Sequence, residues 1–264
     1  MLKERISPDF VIGLCRDAGR VALQRFGGRL EITRKGEVDL VTDVDLALSE
    51  QIASAIRGRF PKHTVVTEEG WQEDIARNAE HLWLVDPLDG TTNYVHGYPG
   101  FCVSVALVNE GQVLTGCVYD PLRDEVFFAE RGHGASLNGR PLSVSSTDHL
   151  IRSLLSTGFP YERASLQESN VTYLGRVINR IQGVRRSGSL ALDLAYVASG
   201  RLDGHWELYV KPWDTAAGGL LIQEAGGRLT NLRGGAWTPF EGHIVASNGK
   251  IHEQLLSVLN EGRE

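Results

Sequence analysis

The densest group of candidate functional residues is Asp86-Pro87-Leu88-Asp89-Gly90-Thr91-Thr92-Asn93, which follows the apolar run Leu82-Trp83-Leu84-Val85. The apolar run predicts a short buried strand that ends at residue 85. We expect a tight turn next, stiffened by Pro87, on which the two aspartates point at one place. Gly90 allows a ligand to approach the backbone, and the two threonines offer hydroxyl and N–H groups that suit phosphate oxygens.

Other acidic residues also stand at the ends of predicted strands. Glu68-Glu69 follows an apolar strand at 63–67, and Asp214 follows a strand at 204–210 and begins a helix at 214–224. A carboxylate at the end of a buried strand is costly unless its charge is compensated, and strand ends are where open α/β sheets build sites. Several such carboxylates predict a hard cation with oxygen ligands, for which Mg²⁺ fits best.

The order of predicted elements indicates a layered α/β fold. A helix begins at Ser7-Pro8, a second runs over 45–57, and strands at 101–108, 113–119 and 125–130 form an antiparallel meander. Helices and strands then alternate, with helices at 167–181, 189–199, 214–224 and 251–259 and strands at 204–210 and 243–247. We expect a mixed sheet in each half, 1–145 and 146–264, within one compact unit.

Composition excludes several classes of protein. The 264 residues are 42% hydrophobic and 23% charged, as in ordinary globular proteins, and the net charge of -6 argues against direct nucleic-acid binding. Three cysteines without a C-x-x-C pair predict a reducing, cytoplasmic location. The N-terminus lacks the apolar core of a signal peptide, and no apolar run reaches the roughly 20 residues of a membrane helix.

Four stretches together resemble the inositol monophosphatase family, within the lithium-sensitive, metal-dependent sugar-phosphatase superfamily. They are residues 86–93, Trp213-Asp214-Thr215-Ala216-Ala217-Gly218, the pair Glu68-Glu69, and Lys35-Gly36-Glu37-Val38-Asp39-Leu40-Val41-Thr42-Asp43-Val44-Asp45. The resemblance spans nearly the whole chain. It implies an α-β-α-β-α sandwich with mixed and antiparallel sheets, inhibition by Li⁺, and a homodimer.

The resemblance also implies roles for individual residues around two to three Mg²⁺ ions. The implied metal ligands are Glu68, Asp86, the Leu88 carbonyl, Asp89 and Asp214. Thr91 and Glu68 would orient and activate the attacking water, with Asp45 behind Thr91, and the N–H groups of Gly90 and Thr91 would hold the phosphate. From the sequence alone, either Asp43 or Asp45 also suits the N-cap of the following helix.

On the substrate side, the resemblance points to Gly188, Leu190 and Glu207, together with Asp89 and Asp214. Glu207 can accept hydrogen bonds from sugar hydroxyls. Leu190 stands where the family pattern usually has alanine. Its larger side chain either narrows the substrate pocket or turns into the core with little effect on activity, since cores often tolerate repacking.

We therefore expect Mg²⁺-dependent hydrolysis of a small phosphorylated polyol or sugar, with myo-inositol 1-phosphate as the first substrate. Three other branch substrates stay open: fructose 1,6-bisphosphate, adenosine 3′,5′-bisphosphate and histidinol phosphate. A role in binding RNA polymerase is the alternative from another class, because some bacterial relatives are linked to that enzyme. The motifs cannot decide between these, since fold and metal site are shared and specificity resides in loops.

Overall fold

The computed structural model of the chain describes residues 6–34, 36, 39–70, 79–161, 166 and 168–262. Lys35, Glu37 and Val38 of the fourth motif, and Gln167 at the start of a predicted helix, lie outside the described residues. No helix in the described ranges is long and apolar enough to cross a membrane.

Two long helices begin the fold, α1 (Pro8–Arg25) and α2 (Asp43–Arg59). Ser7 is the N-cap of α1 and Pro8 lies in its first turn, as predicted. The N-cap of α2 is Thr42 and not an aspartate: its side chain accepts from the Asp45 N–H, and its own N–H donates to Asp45 Oδ2 over 2.8 Å. The predicted N-cap was wrong because this reciprocal pair starts the helix two residues earlier than expected.

The first half forms a seven-stranded sheet in the order β3-β4-β5-β6-β7-β8-β9. Its strands are β3 (Thr64–Thr67), β4 (His81–Asp89), β5 (Cys102–Asn109), β6 (Gln112–Asp120), β7 (Glu125–Glu130), β8 (Ala135–Leu137) and β9 (Arg140–Pro141). Strands β3 and β4 are parallel, and the other neighbours are antiparallel, with β5, β6 and β7 forming the predicted meander. A separate antiparallel pair, β1 (Ile32–Arg34) and β2 (Leu40–Thr42), was not predicted.

The second half forms a five-stranded mixed sheet in the order β11-β10-β12-β14-β13. Its strands are β10 (Leu154–Thr157), β11 (Gly183–Arg185), β12 (Gly204–Leu208), β13 (Arg228–Thr230) and β14 (His243–Ser247). The remaining helices are α3 (Thr91–Val95), α4 (Asn170–Val177), α5 (Leu190–Ala198), α6 (Pro212–Glu224) and α7 (His252–Leu259). Helix α4 is shorter than predicted because the chain tightens into a 3₁₀ turn at Ile178–Arg180.

Three buried apolar clusters hold these elements in five layers. The first joins α1 and α2 to one face of the seven-stranded sheet, for example Leu48 and Trp83. The second, which includes Leu84, Ala217 and Ile244, places α5 and α6 between the two sheets. The third covers the outer face of the five-stranded sheet with α4 and α7, around residues such as Trp206 and Leu255. The order is the predicted α-β-α-β-α sandwich; a division of the chain at residue 145 stays a prediction.

Candidate active site

The motif at 86–93 lies at the end of β4, and the expected tight turn there is wrong. Asp86 pairs with Ser104 and Asp89 with Cys102, so three steps on β4 match two steps on β5. In a regular strand, residues three apart face opposite sides of the sheet, whereas this β-bulge returns Asp89 to the side that Asp86 faces. Pro87 is tolerated there because the bulge interrupts the hydrogen-bond ladder.

The bulge places the carboxylates of Asp86 and Asp89 in a buried, negatively charged position. Asp86 is 3% exposed and Asp89 is 9% exposed. Burial, followed by repulsion from Glu68, Asp89 and Asp214, raises the pKa of Asp86 well above its ordinary value. Burial and the same kind of repulsion also raise the pKa of Asp214. The four predicted carboxylate ligands therefore lie close enough to disfavour one another's charge.

Asp89 is held by the start of α5. Its Oδ2 accepts from the Ser189 hydroxyl over 2.6 Å and from the Ala191 N–H over 2.8 Å. These hydrogen bonds favour the charged carboxylate and oppose the rise in pKa that burial causes. Asp214 is the third residue of α6, and its Oδ2 accepts from the Lys211 N–H over 3.1 Å. Asp89 and Asp214 thus each accept a hydrogen bond from a backbone N–H at the start of a helix.

Thr91 and Asp45 are in direct contact, as the resemblance implies. The Thr91 hydroxyl lies 2.9 Å from Asp45 Oδ1 and 3.0 Å from the Leu88 carbonyl oxygen. The second Asp45 oxygen accepts from the Thr42 backbone and hydroxyl. Burial raises the pKa of Asp45, while its hydrogen bonds from Thr42 and Thr91 act in the opposite direction. The capping arrangement of α2 therefore orients the carboxylate that faces the Thr91 hydroxyl.

Gly90 joins the bulge to α3 in a backbone conformation that suits glycine. Its φ is +97°, and a Cβ there would lie 2.8 Å from the Gly100 carbonyl oxygen. The first N–H groups of a helix have no acceptor within the helix, so those that follow Gly90 suit a phosphate oxygen. Asn93 fixes this segment by donating to the carbonyl oxygens of Gly100 and Ser187 over 2.6 and 2.8 Å.

The predicted substrate residues lie on α5 and β12. Glu207 is half-buried on β12, and its repulsion contributes to the raised pKa values of Asp89 and Asp214, so it lies near these two carboxylates. Gly188 lies just before Ser189, the residue that holds Asp89. Leu190 is half-buried and packs against the core cluster between the sheets. This packing agrees with the second of the two interpretations of Leu190.

The donor chemistry of the site fits Mg²⁺. Among the described residues, no group of three or more His, Cys, Asp or Glu side chains is arranged to hold a metal as it stands. The carboxylates are nevertheless hard oxygen donors, and their mutual repulsion is what a divalent cation would relieve. Asp86, Asp89 and Asp214 each accept a hydrogen bond from the protein through one carboxylate oxygen.

Four further polar residues complete the site, and sequence reasoning gave a specific role to none of them, although Asn93 is part of the 86–93 motif. Ser189 binds Asp89, and Asn93 ties α3 to the segment before α5. Asp193 and His205 lie buried beside Glu207, and burial raises the pKa of Asp193 to about 7 although His205 opposes that shift. The alternation His205-Trp206-Glu207 within a predicted strand was the available signal, since it places two polar side chains on one face.

The family follows from a match over nearly the whole chain: the model of the inositol monophosphatase family covers residues 7–264. The chain belongs to the inositol monophosphatase family. It is 42% identical to Nus factor SuhB of Pseudomonas aeruginosa over 233 residues, 87% of this chain and 86% of that protein. It is also 42% identical to an inositol-1-monophosphatase of Synechocystis over 243 residues, 92% and 84% of the two chains.

Solved structures agree with this assignment. An IMPase/NADP phosphatase complexed with Mg²⁺ and phosphate has a TM-score of 0.82 at 27% identity, with 94% of this chain and 92% of that chain covered. The family resemblance and the fold predicted from the four motifs are therefore confirmed.

Proposed function

We propose that the protein hydrolyses a small phosphomonoester in the presence of Mg²⁺, and that myo-inositol 1-phosphate is its first substrate. The observation that carries the proposal is the contact between Thr91 and Asp45 at 2.9 Å, immediately beside the buried carboxylates. A hydroxyl backed by a carboxylate can hold a water molecule and pass on its proton. Neighbouring carboxylates that repel one another supply the place for cations.

Glu68, Asp86, the Leu88 carbonyl, Asp89 and Asp214 would hold the ions, two to three in number. Bound Mg²⁺ would neutralise the phosphoryl oxygens, make water a better nucleophile and steady the leaving oxygen. A relative of known structure binds both Mg²⁺ and phosphate, which supports the same use of these residues here. Mg²⁺ prefers oxygen ligands, and the proposed site consists of carboxylates and one carbonyl.

The protein's own residues then divide the remaining work. Thr91, oriented by Asp45, would accept a hydrogen bond from the attacking water together with Glu68. The N–H groups of Gly90 and Thr91 would bind phosphate oxygens at the start of α3. Glu207 would accept hydrogen bonds from the hydroxyls of the polyol, which favours substrates that carry such hydroxyls in the right positions. Gly188 would border the same pocket, and Leu190 would follow it in the chain with its side chain packed against the core between the sheets.

The test is phosphate release from purified protein with four substrates, each with Mg²⁺ and with EDTA. The substrates are myo-inositol 1-phosphate, fructose 1,6-bisphosphate, adenosine 3′,5′-bisphosphate and histidinol phosphate. We expect Mg²⁺-dependent release from the first at the highest kcat/KM, and inhibition by Li⁺. A higher kcat/KM for another of the four substrates would mean that the protein belongs to the branch that acts on that substrate. Phosphate release that is unaffected by EDTA would contradict the metal assignment.

A second candidate function is a role in transcription, because relatives at 38 to 42% identity over most of the chain are named Nus factor SuhB. The two functions are compatible, since all four carboxylates remain in place. Capture of RNA polymerase from a lysate by the tagged protein, with and without the Asp89→Asn substitution, tests the alternative. Capture that persists in the inactive variant would separate a binding role from catalysis. The homodimer and the cytoplasmic location stay predictions.

A further inference from the structure

His205 is a fully buried histidine beside the proposed substrate ligand Glu207. The two side chains lie on the same face of β12, since alternate residues of a strand share a face, and Trp206 between them packs into the outer core. The His205 Nε2 atom lies 3.3 Å from Glu207 Oε2, and the Glu207 side chain is 14% exposed. The histidine is therefore behind the carboxylate, on the side away from solvent.

The other ring nitrogen of His205 is held from the neighbouring elements. Ser156 lies opposite His205 on β10, and its hydroxyl is 2.8 Å from Nδ1. Asp193 of α5 places Oδ2 3.9 Å from the same nitrogen. If the Ser156 hydroxyl donates to Nδ1, the ring proton is on Nε2, where it faces Glu207. In that tautomer His205 can donate to the Glu207 carboxylate.

Two observations place the Glu207 carboxylate against buried neighbours. The Nε2 atom of His205 is excluded from solvent and has no well-aligned hydrogen-bond acceptor among the described residues, and Glu207 Oε2 lies 3.3 Å from it. Gly158 directly follows the neighbouring strand β10, and a Cβ at this position would overlap both carboxylate oxygens of Glu207. A buried N–H without an acceptor is costly, which favours a hydrogen bond from Nε2 to the nearby carboxylate.

We propose that His205 is a positioning residue for Glu207: it fixes the direction in which that carboxylate accepts the hydroxyls of a polyol phosphate. The inference rests on the proposed function, in which Glu207 contacts the polyol. It goes further by naming what orients Glu207, and it predicts that His205 acts on substrate choice and leaves the phosphoryl chemistry alone. A ligand that is held by buried partners discriminates better than a mobile one.

The experiment compares His205→Phe, which keeps a ring but removes both nitrogens, with His205→Gln, which keeps an N–H donor near the position of Nε2. Kinetic constants are measured with myo-inositol 1-phosphate and with p-nitrophenyl phosphate, which has no polyol hydroxyls. For His205→Phe we expect KM for inositol phosphate to rise about tenfold, with kcat and both p-nitrophenyl phosphate constants within about twofold. His205→Gln should recover KM to within about threefold of wild type.

A double substitution and a spectroscopic measurement separate this inference from the proposed function. His205→Phe should add little to the effect of Glu207→Gln, because both changes disturb one interaction. Equal losses on both substrates, without recovery in His205→Gln, would mean that His205 merely supports the fold. ¹⁵N NMR of the His205 ring needs no activity: we expect a proton on Nε2 and a shifted Nε2 signal in Glu207→Gln. A ring protonated on Nδ1 alone, or an unshifted signal, would overturn the inference even if the enzyme is active.

Discussion

The metal side and the substrate side of the site are built in opposite ways. On the metal side, residues 86–93 supply two carboxylates, a carbonyl and the Thr91 hydroxyl from one continuous stretch at the β4 bulge. On the substrate side, the surroundings of Glu207 come from separate parts of the chain. Ser156 lies on β10 and Gly158 just after it, Asp193 lies on α5, and His205 lies on β12. Chemistry concentrated in one stretch is visible in a sequence, whereas a ligand oriented by distant residues is not.

The two sides also differ in the surroundings of their buried carboxylates. Asp86 is repelled by three further carboxylates, so its charge calls for a cation from outside the chain. Asp193 is also buried among acids, but His205 opposes the rise in its pKa. The Asp193 carboxylate thus has a neighbour within the chain, the His205 ring, whose Nδ1 lies 3.9 Å from Asp193 Oδ2. We expect substitutions on the metal side to abolish chemistry, and those on the substrate side to alter affinity.

Asp89→Asn should have the largest effect. Its amide oxygen can still accept from Ser189 and Ala191, so the fold should remain, but one negative charge is lost from the metal ligands. We expect kcat to fall roughly 1000-fold or more, measured as phosphate release from myo-inositol 1-phosphate, with a circular dichroism spectrum like that of wild type. Near-normal turnover would contradict the metal assignment.

Asp120→Asn is the matched control for that experiment. Asp120 is also a buried aspartate, and it accepts from two backbone N–H groups and from the Arg123 guanidinium. It lies outside the metal ligands, so the substitution should lower thermal stability and leave kcat within about threefold of wild type. A comparable loss of turnover in both variants would show that a buried charge, and not a metal ligand, is what Asp89 contributes.

Thr91→Val should have the second largest effect on kcat. The change keeps the shape of the side chain, which is 8% exposed, but removes the hydroxyl that faces Asp45. We expect kcat to fall about 100-fold, as when a group that handles a proton is lost, with Thr91→Ser keeping most of the activity. Thr92→Val is the control, because the Thr92 hydroxyl faces Tyr161 at 3.4 Å and not Asp45. Equal losses at the two positions would refute a specific role for Thr91.

The sequence predicted the layers, and it proposed the metal-side residues, because both signals are local. Apolar runs marked the strands, and acids at strand ends marked the site, as with Glu68 after β3 and Asp214 near the start of α6. The turn expected at Pro87 was wrong because periodicity alone does not reveal an extra residue in a strand. Strands β1, β2, β8, β9, β10 and β13 were missed, and apart from β10 with four residues they have two or three each.

The substrate side could not be predicted to the same depth because its contacts join residues far apart in the chain. Ser156 and His205 meet through the parallel pairing of β10 and β12, and Asp193 reaches them from α5. Nothing in the sequence near Glu207 indicates that pairing. The family resemblance named Glu207 itself, but the residues that orient it depend on the register between strands.

Leu190→Ala should have the smallest effect and tests the substrate side directly. Leu190 packs against the core between the two sheets, so shortening it removes apolar contacts and should lower the free energy of unfolding by about 1–3 kcal/mol, measured by urea denaturation. If the side chain does not border the pocket, KM and kcat for myo-inositol 1-phosphate stay within about twofold of wild type. A change in the ratio of kcat/KM between inositol phosphate and the other three substrates would instead show that Leu190 narrows the pocket. That result would extend the specificity-determining residues from β12 to the first turn of α5, whose next residue, Ala191, donates its N–H to Asp89. The metal side and the substrate side would then be coupled through one helix turn.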